Sequence, residues 1–387
     1  MREVALVGAG QTKFGDFPQK GIKELFAEAY AEMLSSVDKG LDPRVIDAAY
    51  VGTLGSGGFQ LGQVAPLLTG HVGLTGIPSV RVENACASGG FAVFQAVLAV
   101  ASGVHDVVLA AGVEKMRDLS GEKSRYWLGV SGDTEYERLA GMTFAGIYAM
   151  IAARYMEEYS VDRKYLSMVA VKNHANGVRN PKAQMRKAVA LEKAMGAPDV
   201  AYPLNLYDCS PTSDGAAAVL VVAAERAHEF TDRPVYVLGF GAGSDYLAVH
   251  DRETITSFKA SVEAAGRAYE MAGLGPEDVD LAEVHDCFTI AELIAYEDLG
   301  FAPRGGAPRL LEEGVTELGG QKPVNASGGL KAKGHPLGAT GVSQVAEVFL
   351  QLRGQAGDRQ VRDPKVGLTH NVGGSGGTAT VFLLGRD

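Results

Sequence analysis

Three short segments, far apart along the chain, carry the side chains that could do chemistry. The first holds Cys86 ahead of a Ser-Gly-Gly sequence, and the second holds His285 and Cys287 in a His-Asp-Cys-Phe block. The third holds His335 in a Gly-His-Pro block. A thiol beside a base is the nucleophile that acyl transfer requires, and a second thiol can move a proton. This set of groups predicts the transfer of acyl groups between sulfur and carbon.

Cys86 is expected at or just before the start of a helix, because an apolar helical pattern follows it over residues 88–101. Exposed amides and the helix dipole at such a start favour the thiolate, which is the attacking form. A free cysteine is also commonly a small buried hydrophobic residue. Taken alone, Cys86 therefore leaves a purely structural alternative open.

The two histidine segments also lie at positions where sites form. His335 sits in a glycine-rich turn ahead of a helix, where it could accept a thiol proton, and the small residues around it predict a close approach of the backbone. His285 and Cys287 directly follow the predicted strand 282–284, and strand ends in α/β layers are where sites assemble. A loop histidine with satisfied hydrogen bonds and ordinary packing at a strand end are the structural alternatives.

A glycine-rich segment at residues 369–377 precedes the last predicted strand. Its glycines could leave backbone amides free to bind an oxyanion, and we interpret it as a loop. Because such loops are common near a final strand, its position carries more weight than its composition.

Composition excludes several classes of function. The net charge is −10 and the isoelectric point is near 5.4, which argues against nucleic acid as a partner because binding phosphates requires a basic surface. The three cysteines, Cys86, Cys209 and Cys287, form no close pair, so neither a disulfide framework nor a zinc site is indicated, and a reducing cytoplasm is expected. No signal peptide or membrane span is predicted, since the most apolar helical run, residues 91–101, is shorter than the ~20 residues a span needs.

Short apolar runs alternate with amphipathic ones, which predicts an α/β layer fold. Glycine makes up 50 of 387 residues, about twice the usual ~7%, as expected of a packed fold with many tight turns. The predicted strands are residues 4–7, 48–51, 107–111, 219–222, 235–238, 282–284 and 378–384. The predicted helices are residues 21–36, 88–101, 144–159, 257–272 and 341–352.

An internal repeat indicates two similar halves. The segment 41–51 returns as 274–284, each time after an amphipathic helix and before a turn with functional residues. We therefore divide the chain into an N-terminal half, residues 1–117, and a C-terminal half, residues 236–387. Residues 118–235 have a different character and hold an insertion with the end of the N-terminal half. Chance similarity between the two segments is the alternative.

Basic residues are concentrated in the middle stretch, in an otherwise acidic protein. We expect them to bind phosphate groups, although a solvated helix face is the commoner fate of such a run. The residues selected for this role are Arg163, Lys172, Arg179, Lys182 and Arg186.

Taken together, the Cys86 segment, the His-Asp-Cys-Phe block, the Gly-His-Pro block and the terminal glycines resemble the thiolase superfamily over essentially the whole chain. The resemblance implies a duplicated five-layered αβαβα fold with an inserted loop domain that binds coenzyme A. Well-known thiolases have Asn-Glu-Ala-Phe in place of the second block and a cysteine where this chain has Asn371. The pattern here is similar instead to archaeal and sterol-carrier-protein-type thiolases, in which the second cysteine lies in the His-Asp-Cys-Phe block.

The resemblance implies a role for each residue. Cys86 is the nucleophile, His335 its base, and Cys287 the acid/base group that handles the α-proton, while Cys209 has no matching role. His285 and His335 would form one oxyanion hole, and the amides of Cys86 and Gly373 the other. No metal or organic cofactor is implied, since coenzyme A is a substrate and product.

The function implied is that of an acetyl-CoA C-acetyltransferase, or acetoacetyl-CoA thiolase. A degradative 3-oxoacyl-CoA thiolase for longer or aromatic chains, a thiolase-like aldolase subunit or scaffold, and a relative of ketosynthases or hydroxymethylglutaryl-CoA synthase are the alternatives. By the same resemblance we expect a homodimer or homotetramer. A partner subunit with a zinc ribbon and an oligonucleotide-binding (OB) fold is also expected, together with contact to hydroxymethylglutaryl-CoA synthase.

Overall fold

A mixed nine-stranded sheet with helices on its faces forms the body of the protein, in a computed structural model that describes residues 1–386. A separate two-stranded hairpin is formed by β5 and β6. The strands are β1 Val4–Gln11, β2 Ala48–Gly52, β3 Ser79–Val82, β4 Val107–Glu114, β5 Asp199–Ala201, β6 Leu204–Asn205, β7 Gly215–Ala223, β8 Val235–Ser244, β9 Leu281–Glu283, β10 Val366–Gly373 and β11 Thr378–Gly385.

The helices fall between these strands and in the middle stretch of the chain. They are α1 Ile22–Ser35, α2 Val64–His71, α3 Ser88–Ala101, α4 Gly121–Gly129, α5 Phe144–Tyr159, α6 Lys164–Arg179, α7 Leu191–Met195, α8 Ala227–Phe230, α9 Lys259–Ala272, α10 Thr289–Asp298, α11 Ala307–Glu312, α12 Gly329–Lys333 and α13 Leu337–Leu352. Residues 134–138 form a single π-helical turn.

The strand order shows the duplication. The N-terminal half runs β1-β7-β4-β2-β3 and the C-terminal half runs β8-β11-β10-β9, with the two halves joined where β1 pairs with β8. Each half repeats the same sequence of pairings, antiparallel twice and then parallel. The repeated segments correspond as well, because a 3₁₀ turn precedes the strand in both: Pro43–Val45 before β2 and Pro276–Asp278 before β9.

The layers follow from which helix packs on which strands. Helices α3 and α13 pack on each other and on strands of the sheet, and a buried cluster drawn from both halves of the chain surrounds them. Helix α1 covers β1 and β7, whereas α9 covers β8 and β11. The thiolase fold expected from the sequence is therefore present, with α3 and α13 central and α1 and α9 outside.

Two sequence-based assignments need correction. Helix α13 begins at Leu337, four residues before the predicted start at 341, because the chain enters the helix directly after Pro336 despite its glycines. Residues 369–373 are not loop but the end of strand β10, since they pair residue for residue with β11. Only the turn at residues 374–377 remains outside the strands. The domain boundaries at 117 and 235 remain a prediction.

No helix within residues 1–386 combines the length and apolar character that crossing a bilayer requires.

Candidate active site

Cys86 is held in a tight turn between strand β3 and helix α3. The residue before it, Ala85, has a left-handed backbone with φ of 51°, a conformation that non-glycine residues rarely adopt. The hydroxyl of Ser88 secures the turn, because its Oγ donates to Ala85 O at 2.6 Å and accepts from Asn84 N at 3.0 Å. The serine of the Cys86 segment thus fixes the direction in which the sulfur points.

Burial favours the neutral thiol of Cys86 and opposes the backbone amides, which favour the thiolate as expected at a helix start. Burial raises its pKa to about 12, and this outweighs the amides of Gly374 and of Cys86 itself, which lower it. The final-turn amide directed at the sulfur belongs to Gly374, one residue beyond the predicted Gly373. The reason is that Gly373 ends strand β10 whereas Gly374, with φ of 60°, opens the turn.

The glycines around His335 and Cys86 permit a close crossing of α3 and α13. A Cβ on Gly341 would lie 2.1 Å from Gly90 N, and one on Gly89 would lie 2.5 Å from Gly338 O. The close approach predicted for the Gly-His-Pro turn is therefore made to protein backbone. This crossing brings the start of each helix, and with it each catalytic segment, to the same point.

His335 is held as a proton acceptor. Its Nδ1 lies 2.7 Å from Thr340 Oγ1, and that hydroxyl also lies 3.0 Å from Pro336 O. Both hydrogen bonds form at once only if Nδ1–H donates to Thr340, whose hydroxyl donates to the carbonyl. The lone pair is then on Nε2, which is buried with no hydrogen-bond partner among residues 1–386. Burial lowers the pKa of His335 to about 3, so the ring stays neutral near pH 7.

His285 lies against His335, with ring centroids 5.2 Å apart and planes at 83°. Asn371 Nδ2 approaches His285 Nδ1 at 3.1 Å, which leaves Nε2 without a partner in the described chain. Burial first, and then His335 and His370, lower the pKa of His285 well below its ordinary value. The block is fixed by Asp286, which accepts from Leu330 N at 2.6 Å at the start of α12.

Cys287 is buried and lines the same cavity as Cys86 and His335. Burial, followed by the nearby Cys86, raises the pKa of Cys287 well above its ordinary value, and a hydrogen bond with Tyr148 opposes this rise. The single hydroxyl proton of Tyr148 is donated to Gly374 O at 3.0 Å, and its ring stacks on that of Phe288 with centroids 4.5 Å apart. Tyr148 therefore connects the second thiol with the final turn.

The four predicted catalytic side chains, those of Cys86, His285, Cys287 and His335, lie in one place. The sulfur of Cys86 and one ring nitrogen each of His285 and His335 lie within 4.8 Å of one another. The adjoining cavity has a volume of about 90 Å³. Its apolar walls include Met116, Leu128, Phe144, Phe288 and Leu337. A thiol, a proton acceptor and a hydrogen-bond donor thus adjoin a small pocket with largely apolar walls.

The same Cys86, His285 and His335 cluster has the donor types of a zinc site. A metal there would need a lone pair on Nε2 of both rings, since each Nδ1 is already engaged. Asn371 donates to Nδ1 of His285, which keeps the proton on Nε2 of that ring. The donor set therefore fits proton transfer better than metal binding.

Three of the five cations selected for phosphate binding are committed to other groups. Lys172 Nζ lies 2.5 Å from Glu292 Oε1 and donates to Val324 O at 2.8 Å, and it is buried. Arg163 pairs with the buried Asp208 at 2.6 Å. Lys182 pairs with Glu32 and donates to Gln11 O at 2.6 Å.

This is a correction to the sequence interpretation of the basic run. The sequence showed the density of cations but not the carboxylates, distant along the chain, that neutralise them. Arg179 and Arg186 remain solvent-exposed, and Arg186 makes only a 3.3 Å contact to Val178 O among the contacts found in residues 1–386.

Sequence reasoning missed three residues of the site. Thr340 sets the tautomer of His335, Tyr148 contacts Cys287, and Asn371, noted only as a replacement for a cysteine, links His285 to the Cys86 turn. Tyr148 lies within a predicted helix whose pattern indicates only packing, and Thr340 lies just before the predicted start of its helix at residue 341. Asn371 follows Thr369 and His370 in a buried strand, and a run of polar residues in such a strand is the one signal that could have identified it.

The neutral Cys86 and His335 pair predicts a distinctive pH dependence. We expect the rate of Cys86 alkylation by iodoacetamide to rise continuously from about pH 6 to about pH 10, because the thiolate fraction grows throughout this range. Peptide mapping would follow Cys86 separately from Cys209. A plateau beginning near neutral pH would indicate a preformed thiolate and imidazolium pair and would contradict this description.

Comparisons with known proteins cover the whole chain. The family model for the thiolase N-terminal domain matches residues 4–225, and the one described as thiolase C-terminal domain-like matches residues 241–386. The acetyl-CoA acetyltransferase of Methanothermobacter thermautotrophicus is 49% identical over 387 residues, which is 100% of both chains. Human sterol carrier protein 2 is 34% identical over 406 residues, covering 100% of this chain and 72% of its own. A solved Ltp2-ChsH2(DUF35) aldolase superposes with a TM-score of 0.87 at 26% identity, over 100% of this chain and 98% of that one.

Proposed function

This chain belongs to the thiolase family, and we propose that it is an acetyl-CoA C-acetyltransferase that joins two acetyl-CoA molecules, or cleaves acetoacetyl-CoA in reverse, through an acetyl group on Cys86. The observation that carries the mechanism is the meeting of the Cys86 sulfur with nitrogens of His285 and His335 within 4.8 Å, beside a cavity that Cys287 also lines. The full-length similarity to an archaeal acetyl-CoA acetyltransferase supports the substrate.

The first half-reaction uses Cys86 and His335. The sulfur attacks the thioester carbonyl of acetyl-CoA while its proton passes to His335 Nε2. The resulting oxyanion is held by the amides of Cys86 and Gly374, which already point at the sulfur. When the intermediate collapses, coenzyme A leaves and takes the proton back from His335, so the acetyl-enzyme forms with a neutral imidazole.

The second half-reaction adds Cys287 and His285. Cys287 is a thiol at rest, so it must first give its proton to His335 Nε2. The Cys287 thiolate then removes the α-proton of the second acetyl-CoA, and the protonated His335 and His285 Nε2–H donate to the enolate oxygen. The carbanion attacks the acetyl carbon, the Cys86 thiolate leaves, and it takes the proton from His335. All four groups return to their starting state.

The shape of the cavity favours a short acyl group. Its volume of about 90 Å³ is well below the ~300 Å³ at which pockets for larger ligands begin. We therefore expect acetoacetyl-CoA to be thiolysed at least 10-fold faster, in kcat/KM, than long-chain or aromatic 3-oxoacyl-CoA, since each excluded group costs more than 1 kcal/mol of transition-state binding. Thiolysis rates across the three substrate classes test the proposal, and a preference for long or aromatic chains would overturn it.

An aldolase subunit is the second function to weigh, because the superposed Ltp2-ChsH2(DUF35) protein is described as an aldolase. Cys86, Cys287 and both histidines are present and assembled here, so the chain has the groups that acyl transfer uses. An aldolase would cleave a hydroxyacyl-CoA without an acyl group on Cys86, and acetyl-enzyme formation distinguishes the two.

Coenzyme A is a substrate and product in this proposal, and no metal or organic cofactor takes part. Arg179 and Arg186 are the predicted cations whose exposure supports contact with its phosphates. The three free cysteines are consistent with the reducing cytoplasm that we propose as the location.

We also propose that the protein is an oligomer, a homodimer or homotetramer. Strand β3 is an edge of the nine-stranded sheet, and unpaired strand edges are normally covered. Large apolar residues near it are exposed: Phe59 at 68%, Leu61 at 41% and Val80 at 47%. Light scattering on the purified protein measures the assembly, and a monomer at micromolar concentration would refute this part of the proposal.

A partner subunit is proposed because the superposed aldolase contains a DUF35 protein. The expected partner has a zinc ribbon and an OB fold, and hydroxymethylglutaryl-CoA synthase would be a third component that consumes acetoacetyl-CoA. Co-purification from the native source tests both. Full activity of a homo-oligomer that retains neither protein would remove this part of the proposal.

A further inference from the structure

Asn371, on strand β10, joins three functional parts of the site through one side-chain amide. Its Oδ1 accepts from Gly90 N at 3.1 Å, near the start of α3. Its Nδ2 donates to Cys86 O at 3.1 Å and lies 3.1 Å from His285 Nδ1. The side chain is 2% exposed, so water does not compete for these contacts. All three hydrogen bonds therefore depend on one planar group.

The backbone determines which way this amide points. If the amide were flipped, its NH₂ would face the amide N–H of Gly90, and its oxygen would face the carbonyl of Cys86. Either contact would place like partial charges together in a buried site and leave polar groups without a partner, which is strongly unfavourable. The orientation with Nδ2 toward His285 is thus fixed independently of the histidine.

The fixed amide has a consequence for the imidazole. Because Nδ2 can only donate, His285 Nδ1 must accept, and the single proton of the neutral ring lies on Nε2. His335 is held in the opposite tautomer by Thr340, with its lone pair on Nε2. The two rings lie edge to face 5.2 Å apart, and neither Nε2 has a protein partner within residues 1–386. One ring therefore offers a donor and the other an acceptor.

We propose that Asn371 is a positioning residue that sets the tautomer of His285, so that Nε2–H is a permanent hydrogen-bond donor to the enolate oxygen of the second acetyl-CoA. This inference rests on the proposed acetyl-CoA condensation. It also explains why an amide serves where a carboxylate would not, since a carboxylate would accept a proton from Nδ1 and leave Nε2 without one.

The tautomer can be measured in the wild-type protein, by ¹⁵N NMR of the whole chain labelled on histidine. The protein has eight histidines, and the signals of His285 are identified by their loss in His285→Gln. We expect a protonated Nε2 and an unprotonated Nδ1 at neutral pH. A proton on Nδ1 of His285 in the wild-type protein would overturn the proposal, whatever the enzyme's activity.

The variant Asn371→Asp tests the functional consequence. Its carboxylate can still accept from Gly90 N, but it cannot donate, so His285 should move its proton to Nδ1. We expect condensation and thiolysis to fall about 100-fold, as when one oxyanion donor is lost, with a smaller fall, below about 10-fold, in acetylation of Cys86. An unchanged tautomer, or equal losses in both half-reactions, would contradict the positioning role.

Thr380→Val is the matched control. Thr380 faces Asn371 across the β10 and β11 pairing, is equally buried, and its Oγ1 has no hydrogen-bond partner in the described chain. In Thr380→Val, the tautomer of His285 and the rates of condensation and thiolysis should match those of the wild type. If these rates fall as far as in Asn371→Asp, the effect is one of packing and not of the tautomer.

The proposed function fails separately from the positioning role. A wild-type protein that shows the expected tautomer but never forms acetyl-Cys86 would refute the proposed function, because the two measurements are independent.

Discussion

Replacing Cys86 with alanine is expected to abolish turnover, with a loss in kcat on the order of 10⁴-fold or more. In the proposed mechanism the sulfur bonds to the acetyl group in both half-reactions, and it lies within 4.8 Å of ring nitrogens of His285 and His335. The measurement is the steady-state rate of acetoacetyl-CoA thiolysis, together with exchange of isotopically labelled coenzyme A into acetyl-CoA. Both should disappear together.

The control for Cys86→Ala is Cys209→Ala. Cys209 is partly buried, its Sγ contacts Asn205 O, and it lies outside the cavity lining. We expect this variant to retain rates within about threefold of the wild type. Exchange activity that survives in Cys86→Ala would show that another group carries the acetyl unit and would contradict the assignment.

Replacing Cys287 with alanine is expected to separate the two half-reactions. Acetylation of Cys86 needs only His335 and the amides of Cys86 and Gly374, so exchange of labelled coenzyme A into acetyl-CoA should continue. Carbon bond formation and cleavage should fall by about 10² to 10⁴-fold, because the group that removes the α-proton is absent. Exchange and condensation rates measured on one preparation test this directly.

Tyr148→Phe provides the matched comparison for Cys287→Ala. It removes the hydroxyl that contacts Cys287 and Gly374 O while keeping the ring that stacks on Phe288. Like Cys287→Ala, this variant should slow condensation more than exchange, but the fall in the condensation rate should be smaller. Loss of exchange in Cys287→Ala to the same extent as condensation would show that Cys287 supports Cys86 rather than acting on the α-proton.

Much of the fold could be predicted because its signals are local or periodic. Helices Ser88–Ala101 and Phe144–Tyr159 have the predicted bounds, since long apolar periodic runs with clear ends are strong signals. The repeated segment before β2 and β9 is likewise visible in the sequence, and it forms the same 3₁₀ turn and strand in both halves.

What the sequence could not show depends on contacts between distant residues. The tautomer of His285 depends on Asn371, and the neutral state of Cys86 depends on burial that local sequence does not report. The sequence alone predicts Lys172 as a phosphate ligand, whereas the fold pairs it with the buried Glu292. The sequence therefore predicted groups that the fold brings together, and their packing sets their protonation.

The most direct test of this mechanism is the mass of each cysteine-containing peptide after the wild-type protein is incubated with acetyl-CoA and quenched in acid. The mechanism predicts one acetyl group per chain, on the peptide of Cys86, and its removal when coenzyme A is added before quenching. An acetyl group on Cys209 or Cys287, or none on Cys86, would contradict it.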